Sequence, residues 1–312
     1  MSRPRTGVPA AVTVRDVLQI VDIRTKIVSM SSFAIGTAYA AFLTGTFSPV
    51  RFVAMFLATL CVDMGTTGFN SYYDFVHGVD TRATDVEKSK VLVQRGIDPA
   101  VALRISWLMF GLAAVFGLAI GALVDWRIVL VGGACMLVAL FYSAGPVPIA
   151  RLPVGEVFAG GLLGAVLIAL SAFVQGGTVD PRVGWLGLPS SVLIATILSV
   201  NNACDIEGDA KAKRRTLAIV LGRSGAARMI QVQGAATLLA AMALIPLHVL
   251  PVSALAPLAL AGFFGWRQFA AMHRRGYSHA TKAASMGAIS AVFALFTLAM
   301  LAGIGMGAAG LP

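Results

Sequence analysis

Long apolar stretches restrict the fold of this chain more than any other feature of its sequence. About nine of them follow one another, centred near residues 35, 60, 111, 136, 165, 195, 238, 260 and 294. A helix of roughly 20 apolar residues crosses the hydrocarbon core of a bilayer. With 58% apolar and 12% charged residues, the chain has too little charge to cover a soluble protein. The sequence therefore predicts an all-α membrane protein with about nine transmembrane helices.

The distribution of positive charge predicts how the chain is oriented. Residues 1–22 are rich in arginine and have no long apolar core, so we expect a cytoplasmic N-terminal segment rather than a signal peptide. With nine crossings, Arg51, Arg127 and Arg182 fall outside, and the other 21 of the 24 Lys and Arg residues fall inside. The net charge of +10 thus follows from topology and does not indicate nucleic-acid binding. No linker separates the spans, so residues 1–312 are expected to form one domain in the inner cell membrane.

Two polar motifs interrupt the apolar pattern, each at the end of a span. They are Asn70-x3-Asp74-x5-Asp80 and Asn201-x3-Asp205-x3-Asp209. Residues four apart share one face of a helix, so each motif directs several oxygens into a small volume. Carboxylates gathered at a membrane boundary need cations to neutralise them, and magnesium prefers oxygen ligands together with substrate phosphates. The two motifs therefore predict two Mg²⁺ ions.

Basic residues follow both motifs closely. They include Arg82 and Lys88 after the first motif and Lys211 and Arg215 after the second. Acids for a metal beside bases for phosphate are typical of a diphosphate site. The alternative interpretation is that both segments are solvated loops, whose bases obey topology and whose Asp and Asn cap helices.

A diphosphate held at the bilayer surface, next to an apolar interior, suits a substrate with a charged head and a long hydrocarbon tail. A polyprenyl diphosphate has this form, and loss of its diphosphate leaves an allylic carbocation. The ring faces of Tyr72, Tyr73 and Tyr142 are candidates to stabilise that cation. Packing and anchoring at the membrane interface explain the same aromatic residues equally well.

Four segments carry a resemblance to a known family. They are IRTKI from Ile23, NSYYDFVHGVD from Asn70, FYSAGPVPIARLPVGEVFAGG from Phe141 and NNACDIEGDAKAKRRTLAIVLGR from Asn201. With these segments the chain resembles the UbiA superfamily of intramembrane prenyltransferases. Within it, the chain is most similar to the 1,4-dihydroxy-2-naphthoate polyprenyltransferases of menaquinone synthesis. The second Asp motif, followed by RRTLAIVLG, is the most specific of the four.

The resemblance implies a nine-helix bundle with a cavity that faces the cytoplasm. It implies that two magnesium ions bridge the diphosphate to Asp74, Asp80, Asp205 and Asp209, beside the motif asparagines Asn70 and Asn201. It also implies a basic pair lining the cavity, Arg24 and Lys26, and a phosphate-binding base at Arg215. Ser71 departs from the pattern, because most members carry Asp directly after the first Asn.

The acceptor implied by the resemblance is a small aromatic compound, 1,4-dihydroxy-2-naphthoate. Arg151 is a candidate to bind its carboxylate, although a topological positive charge explains this residue equally well. His77 is a candidate contact for acceptor or phosphate, with a solvated loop residue as the alternative. Asp63 lies within a span, where an ionisable group is costly, and this makes it a candidate residue of the acceptor cavity. A hydrogen bond to a neighbouring helix is the alternative that we favour. The sequence assigns no general base.

Two other functions are compatible with parts of the pattern. A related prenyltransferase with another acceptor, such as a different quinone precursor, a porphyrin or a lipid precursor, would keep both Asp motifs. An ion-coupled transporter would also bury acids in spans. It would place them at mid-membrane depth on broken helices, whereas the acids of the two motifs lie at span ends.

Overall fold

The computed structural model describes residues 12–80, 90–178 and 180–310, and in this part of the chain helices are joined by turns and loops, with no strand. Its α-helices are α1 (Val14–Ile20), α2 (Ile27–Thr44), α3 (Pro49–Val76), α4 (Val91–Gln94), α5 (Pro99–Leu123), α6 (Arg127–Ser143), α7 (Gly155–Gly160), α8 (Leu167–Gly176), α9 (Arg182–Cys204), α10 (Ile206–Lys211), α11 (Leu217–Ala243), α12 (Leu255–Arg275) and α13 (Lys282–Ala308). The predicted all-α class is confirmed.

Among the described residues, six helical segments are long and apolar enough to cross a membrane. They are Ile23–Thr44, Pro49–Val76, Pro99–Leu123, Gly155–Gly176, Arg182–Cys204 and His279–Ala308. Helix α6 is apolar but has only 17 residues. Helices α11 and α12 have 27 and 21 residues, and the backbone of α11 leaves helical geometry at Gly222. The membrane character of the chain is therefore confirmed, whereas the count of nine crossings stays a prediction.

Capping residues in the local sequence explain where helices α3 and α5 begin. Ser48 caps α3 by accepting a hydrogen bond from the Arg51 N–H, and Pro49 occupies the first helical position. Asp98 and Pro99 start α5 in the same way. These signals fix where each helix begins. The opposite end of α3, at Val76, lies within the first Asp motif.

The helices pack into one bundle with an apolar exterior. The most extensive helix pairs are α3 with α5, α9 with α11, α2 with α8, and α12 with α13. The largest core cluster includes Tyr39, Leu186 and Phe293. All four tryptophans expose more than half of their surface, which suits residues that face lipid and its interface.

Helix α7 continues into α8 through a π-helical turn at Gly161–Val166. Helix α9 packs tightly against this turn, because Gly160 and Gly164 present no side chain to Ser191. The Ser191 hydroxyl accepts the Ala165 N–H at 2.9 Å and donates to the Gly187 carbonyl at 3.0 Å. The turn is thus held in place by a side chain from the neighbouring helix.

We expect Gly164→Ala to destabilise the bundle. A Cβ at this position would stand 2.5 Å from the Ser191 Cα and 2.6 Å from its N, and overpacking of this kind costs about 1–3 kcal/mol. Gly161→Ala is the matched control, since nothing lies within 4 Å of its Cβ. Thermal unfolding in detergent measures the difference, and equal midpoints for the two variants would contradict the close approach of α9.

Candidate active site

Both Asp motifs lie at the C-terminal ends of long helices. Asn70 and Asp74 occupy the last two turns of α3, and Asp80 lies in the turn after it. Asn201 is in the last turn of α9, and Asp205 and Asp209 follow at the start of α10 and within it. Asp74 interacts electrostatically with both Asp80 and Asp209. The fold therefore brings the two motifs together at one end of the bundle.

Arg214 joins the two motifs. Its Nη1 atom lies 3.0 Å from Asp209 Oδ1, and its backbone N–H donates to the Asp209 carbonyl at 2.9 Å. It also interacts electrostatically with Asp74 and Tyr142. The Arg214 side chain is 17% exposed and that of Asp209 is 5% exposed, so this ion pair is largely removed from water.

Two other cations form ion pairs with Asp80 and Asp205. Lys90 lies 2.8 Å from Asp80, and Lys282 lies 2.8 Å from Asp205. Among the described residues, no three His, Cys, Asp or Glu side chains are grouped closely enough to hold one metal ion. Protein carboxylates alone therefore do not assemble the predicted magnesium ligand sets.

The Arg214–Asp209 pair nevertheless retains unused bonding capacity that fits a metal and an oxyanion. In the described structure, Asp209 Oδ2 and Arg214 Nε are both buried and without hydrogen-bond partners. Burial raises the pKa of the Asp209 carboxyl, and Arg214 opposes that rise. An unsatisfied buried polar group costs about 1–3 kcal/mol. A free carboxylate oxygen beside a free guanidinium N–H is suited to a cation and to a phosphate oxygen.

The first motif is also tied to neighbouring elements. The Ser143 hydroxyl at the end of α6 donates to Asn70 Oδ1. Ser71, the departure from the family pattern, donates to the Ile20 carbonyl of α1 at 3.0 Å. Asn201 is half-buried. Ser71 thus anchors the N-terminal helix at a position where a carboxylate would place an acceptor against a carbonyl.

A second polar cluster, which sequence reasoning missed, lies inside the bundle. Glu156, in the first turn of α7, is 2% exposed. Its Oε1 accepts from Asn202 Nδ2 at 2.9 Å, and its Oε2 is buried without a partner. Tyr142 interacts electrostatically with Glu156, Arg214 and Asp74, which connects this cluster to the motifs. A single acid at the start of an apolar segment was the available signal.

A search of protein-family models matches residues 29–293 to the UbiA prenyltransferase family. The chain belongs to this family.

Curated UbiA-family relatives have naphthoate-related names. A 1,4-dihydroxy-2-naphthoate octaprenyltransferase from Bacillus subtilis (strain 168) is 34% identical over 196 residues, which are 63% of this chain and 62% of the relative. One from Mycobacterium tuberculosis is 29% identical over 191 residues, or 60% and 63% of the two chains. The chain thus matches less than two thirds of the length of these relatives.

Solved UbiA-family structures share the fold. A UbiA homologue from Archaeoglobus fulgidus bound to GPP and Mg²⁺ aligns with a TM-score of 0.68 at 18% identity, covering 93% of this chain and 99% of that one. An apo UbiA homologue from Aeropyrum pernix K1 gives 0.64 at 19% identity, with 90% and 97% coverage. The UbiA-type bundle is confirmed at this level.

In this UbiA-family chain, Lys26 and Asp63 form a buried network between α2 and α3. Lys26 Nζ lies 2.5 Å from Asp63 Oδ1 and also donates to the Asp63 carbonyl at 3.2 Å and Thr67 Oγ1 at 3.1 Å. Ser29 donates to Asp63 Oδ2 at 2.5 Å. The expected bond from Asp63 to a neighbouring helix is present. The phosphate-binding role of Lys26 stays a prediction, and these bonds already occupy its donors.

Other predicted phosphate-binding residues are less enclosed. Arg24, Lys211 and Arg215 are exposed, and the Arg215 N–H donates to the Arg151 carbonyl at 2.8 Å. Arg82 and Lys88 lie outside the described residues.

The predicted aromatic contacts of the first motif lie side by side. Tyr72 and Tyr73 pack edge to face, with ring centroids 5.0 Å apart. Tyr73 stacks on the exposed His77 at 5.7 Å. These residues therefore form a continuous aromatic surface beside Asp74.

We expect Lys26→Met to lower the free energy of unfolding by about 3–5 kcal/mol, because it leaves the Asp63 carboxylate buried without a cation. The double variant Lys26→Met/Asp63→Leu removes both charges and should lose less. Thermal unfolding in detergent compares the two. A double variant no more stable than the single one would contradict a structural role for the ion pair.

Proposed function

We propose that the chain transfers a polyprenyl group from its diphosphate to an aromatic acceptor, 1,4-dihydroxy-2-naphthoate, in a magnesium-dependent reaction. The observation that carries this proposal is the buried Arg214–Asp209 pair between the two Asp motifs, with a free donor and a free acceptor atom. The names of the curated relatives support the acceptor. The Archaeoglobus homologue, whose structure was solved with GPP and Mg²⁺ bound, supports the donor and the metal.

The metal would be held by the two motifs and by the diphosphate. The proposed ligands for two Mg²⁺ ions are Asp74, Asp80, Asp205 and Asp209, with Asn70 and Asn201. The chemistry that magnesium supplies when bound is neutralisation of the charge that develops on the leaving diphosphate. Because phosphate oxygens complete such a site, the separation of the acids by Lys90, Arg214 and Lys282 is compatible with it.

The residues of the chain have distinct proposed roles. Arg214 binds a phosphate oxygen through its free Nε, and its charge favours departure of the diphosphate. Tyr72, Tyr73 and Tyr142 present ring faces to the allylic cation. The apolar bundle keeps water from the cation, and Arg151 attracts the acceptor carboxylate.

The acceptor carbon that bears the carboxylate forms the new bond to the allylic carbon. The diphosphate departs with the electron pair of the broken C–O bond. Carbon dioxide then leaves, and the electrons of its bond to the ring restore aromaticity. The sequence is redox-neutral, so its product is demethylmenaquinol, the hydroquinone form of demethylmenaquinone. A different acceptor in the same site is the alternative, because the two Asp motifs specify the donor alone.

We also propose an inner-membrane location, with the N-terminus and both Asp motifs on the cytoplasmic side and residues 1–312 acting as one domain. The distribution of Lys and Arg supports this orientation.

The reaction is tested by incubating purified protein with dihydroxynaphthoate and polyprenyl diphosphates of several lengths, with magnesium or with a chelator. We expect a prenylated, decarboxylated product that depends on the metal. Asp209→Asn should lower kcat by at least about 100-fold, because it removes a charge from the diphosphate end of the site. Asp125→Asn is the matched control, since the Asp125 carboxylate accepts the Arg127 N–H at the start of α6, away from both Asp motifs. Mass spectrometry detects the product, and no product with any acceptor would refute the proposal.

A second comparison separates Arg214 from Arg215. We expect Arg214→Gln to raise the Kd for a prenyl diphosphate in the presence of magnesium by about 10- to 100-fold, the value of a charge-assisted hydrogen bond. Arg215→Gln, at the exposed neighbour, should raise it less. Calorimetric titration measures both. A larger rise in Kd for Arg215→Gln than for Arg214→Gln would instead identify Arg215 as the phosphate-binding arginine, as the family resemblance implies.

A further inference from the structure

Glu156 differs from the other fully buried carboxylates of the described residues, because it has no cation. Asp16 forms an ion pair with Arg95, and Asp209 forms one with Arg214. In the described part of the chain, no Lys, Arg or His forms an ion pair with Glu156, which is 2% exposed. Burying a carboxylate is costly unless hydrogen-bond donors compensate it.

Only one of the two Glu156 carboxylate oxygens has a hydrogen-bond donor in the described structure. Asn202 donates to Glu156 Oε1 at 2.9 Å, whereas Oε2 is buried and has no donor in the described structure. An ionised carboxylate accepts hydrogen bonds and donates none. The missing group at Oε2 is therefore a hydrogen-bond donor.

The position of Glu156 relates this donor to the reaction. The Tyr142 hydroxyl lies 3.4 Å from the point where a Cβ on Gly155 would stand, directly before Glu156. Tyr142 also interacts electrostatically with Glu156, Arg214 and Asp74. Tyr142 thus lies near Glu156 and within electrostatic range of Arg214 and Asp74, two of the residues at the proposed diphosphate site.

Charge restricts what binds at Oε2. A diphosphate and an acceptor carboxylate are both anionic and offer acceptor atoms only, so the Glu156 carboxylate repels both. A phenolic hydroxyl is neutral, donates one hydrogen bond and belongs to the acceptor class proposed above. Among the groups of the two proposed substrates, the ring hydroxyl is therefore the one that can donate to Oε2.

We propose that Glu156 binds a ring hydroxyl of the acceptor and holds its proton during carbon–carbon bond formation, an inference that rests on the proposed function. The O–H bond breaks, its proton moves to Glu156, and its electron pair forms a C=O bond as the ring carbon bonds to the allylic carbon. The diphosphate departs with the C–O electron pair. When carbon dioxide leaves, the ring regains its electrons, and the proton returns from Glu156 to the ring oxygen.

The test compares wild type with Glu156→Gln, which keeps an acceptor oxygen for Asn202 and removes the charge. We expect kcat/KM for dihydroxynaphthoate to fall by about 100-fold, the low end for general-base catalysis, while the Kd for a prenyl diphosphate is unchanged. Asp125→Asn makes the same carboxylate-to-amide change at the N-terminal end of α6 and should leave both constants unchanged.

Methyl ethers of the acceptor distinguish a chemical role of Glu156 from a structural one, because a structural role would not change the preference between the two ethers. Each of the two ring hydroxyls is methylated in turn, and both ethers are assayed with wild type and Glu156→Gln. Wild type should discriminate strongly against one ether. The variant should accept that ether and the parent compound about equally well, because it no longer takes the proton.

The outcomes separate this inference from the proposed function. A wild type that prenylates no hydroxylated naphthalene overturns the proposed function and the Glu156 site with it. An active wild type together with a variant of equal kcat/KM, or of equal discrimination against the ether, overturns the Glu156 site alone. If Glu156→Gln does not bind the prenyl diphosphate, Glu156→Asp replaces it: a raised KM for the acceptor alone supports the site, and an unchanged KM overturns it.

Discussion

The ion pair between Arg214 and Asp209 is the interaction on which the arrangement of both Asp motifs depends. Two helices that end in carboxylates would repel each other at a membrane boundary, where little water screens the charge. Arg214 lies between them, bonded to Asp209 and within electrostatic reach of Asp74. Its charge lets α3 and α9 present their acidic ends to a common volume. Under the proposed function, this volume holds magnesium together with the diphosphate.

The membrane class, the all-α fold and the positions of the two motifs could be read from the sequence, because each depends on local pattern. Apolar length identifies a span, and Asn and Asp spaced by four identify a helix face. The choice between Arg214 and Arg215 could not be read in this way. Lys213 adopts a left-handed backbone conformation with φ 57°, and this turn decides which arginine points at Asp209. Such a conformation is uncommon for a residue other than glycine, so pattern alone does not indicate it.

Contacts between segments that are distant in the chain could not be predicted from the sequence either. The sequence shows that Asp63 is an ionisable residue within a span and needs a partner. It does not show that this partner is Lys26, which is 37 residues away. Glu156 and Asn202 are 46 residues apart, and nothing in either segment identifies the other. These contacts depend on which helices are neighbours, and the approach of α7 to α9 follows from small side chains at Gly160 and Gly164. The spacing of the two glycines is visible in the sequence, but it does not show which polar side chains their packing brings together.

The π-helical turn at Gly161–Val166 has a consequence for how the site relates to the rest of its helix. A π turn holds one residue more than an α turn, and one residue corresponds to about 100° of rotation about the helix axis. Without it, α7 would be turned by that angle relative to α8, which packs against α2. The extra residue therefore fixes the rotation of α7 about the helix axis relative to α8. It lets one continuous span serve two neighbours, α2 along one half and Asn202 of α9 along the other, so that the direction of the Glu156 carboxylate is set by helix phase rather than by a loop.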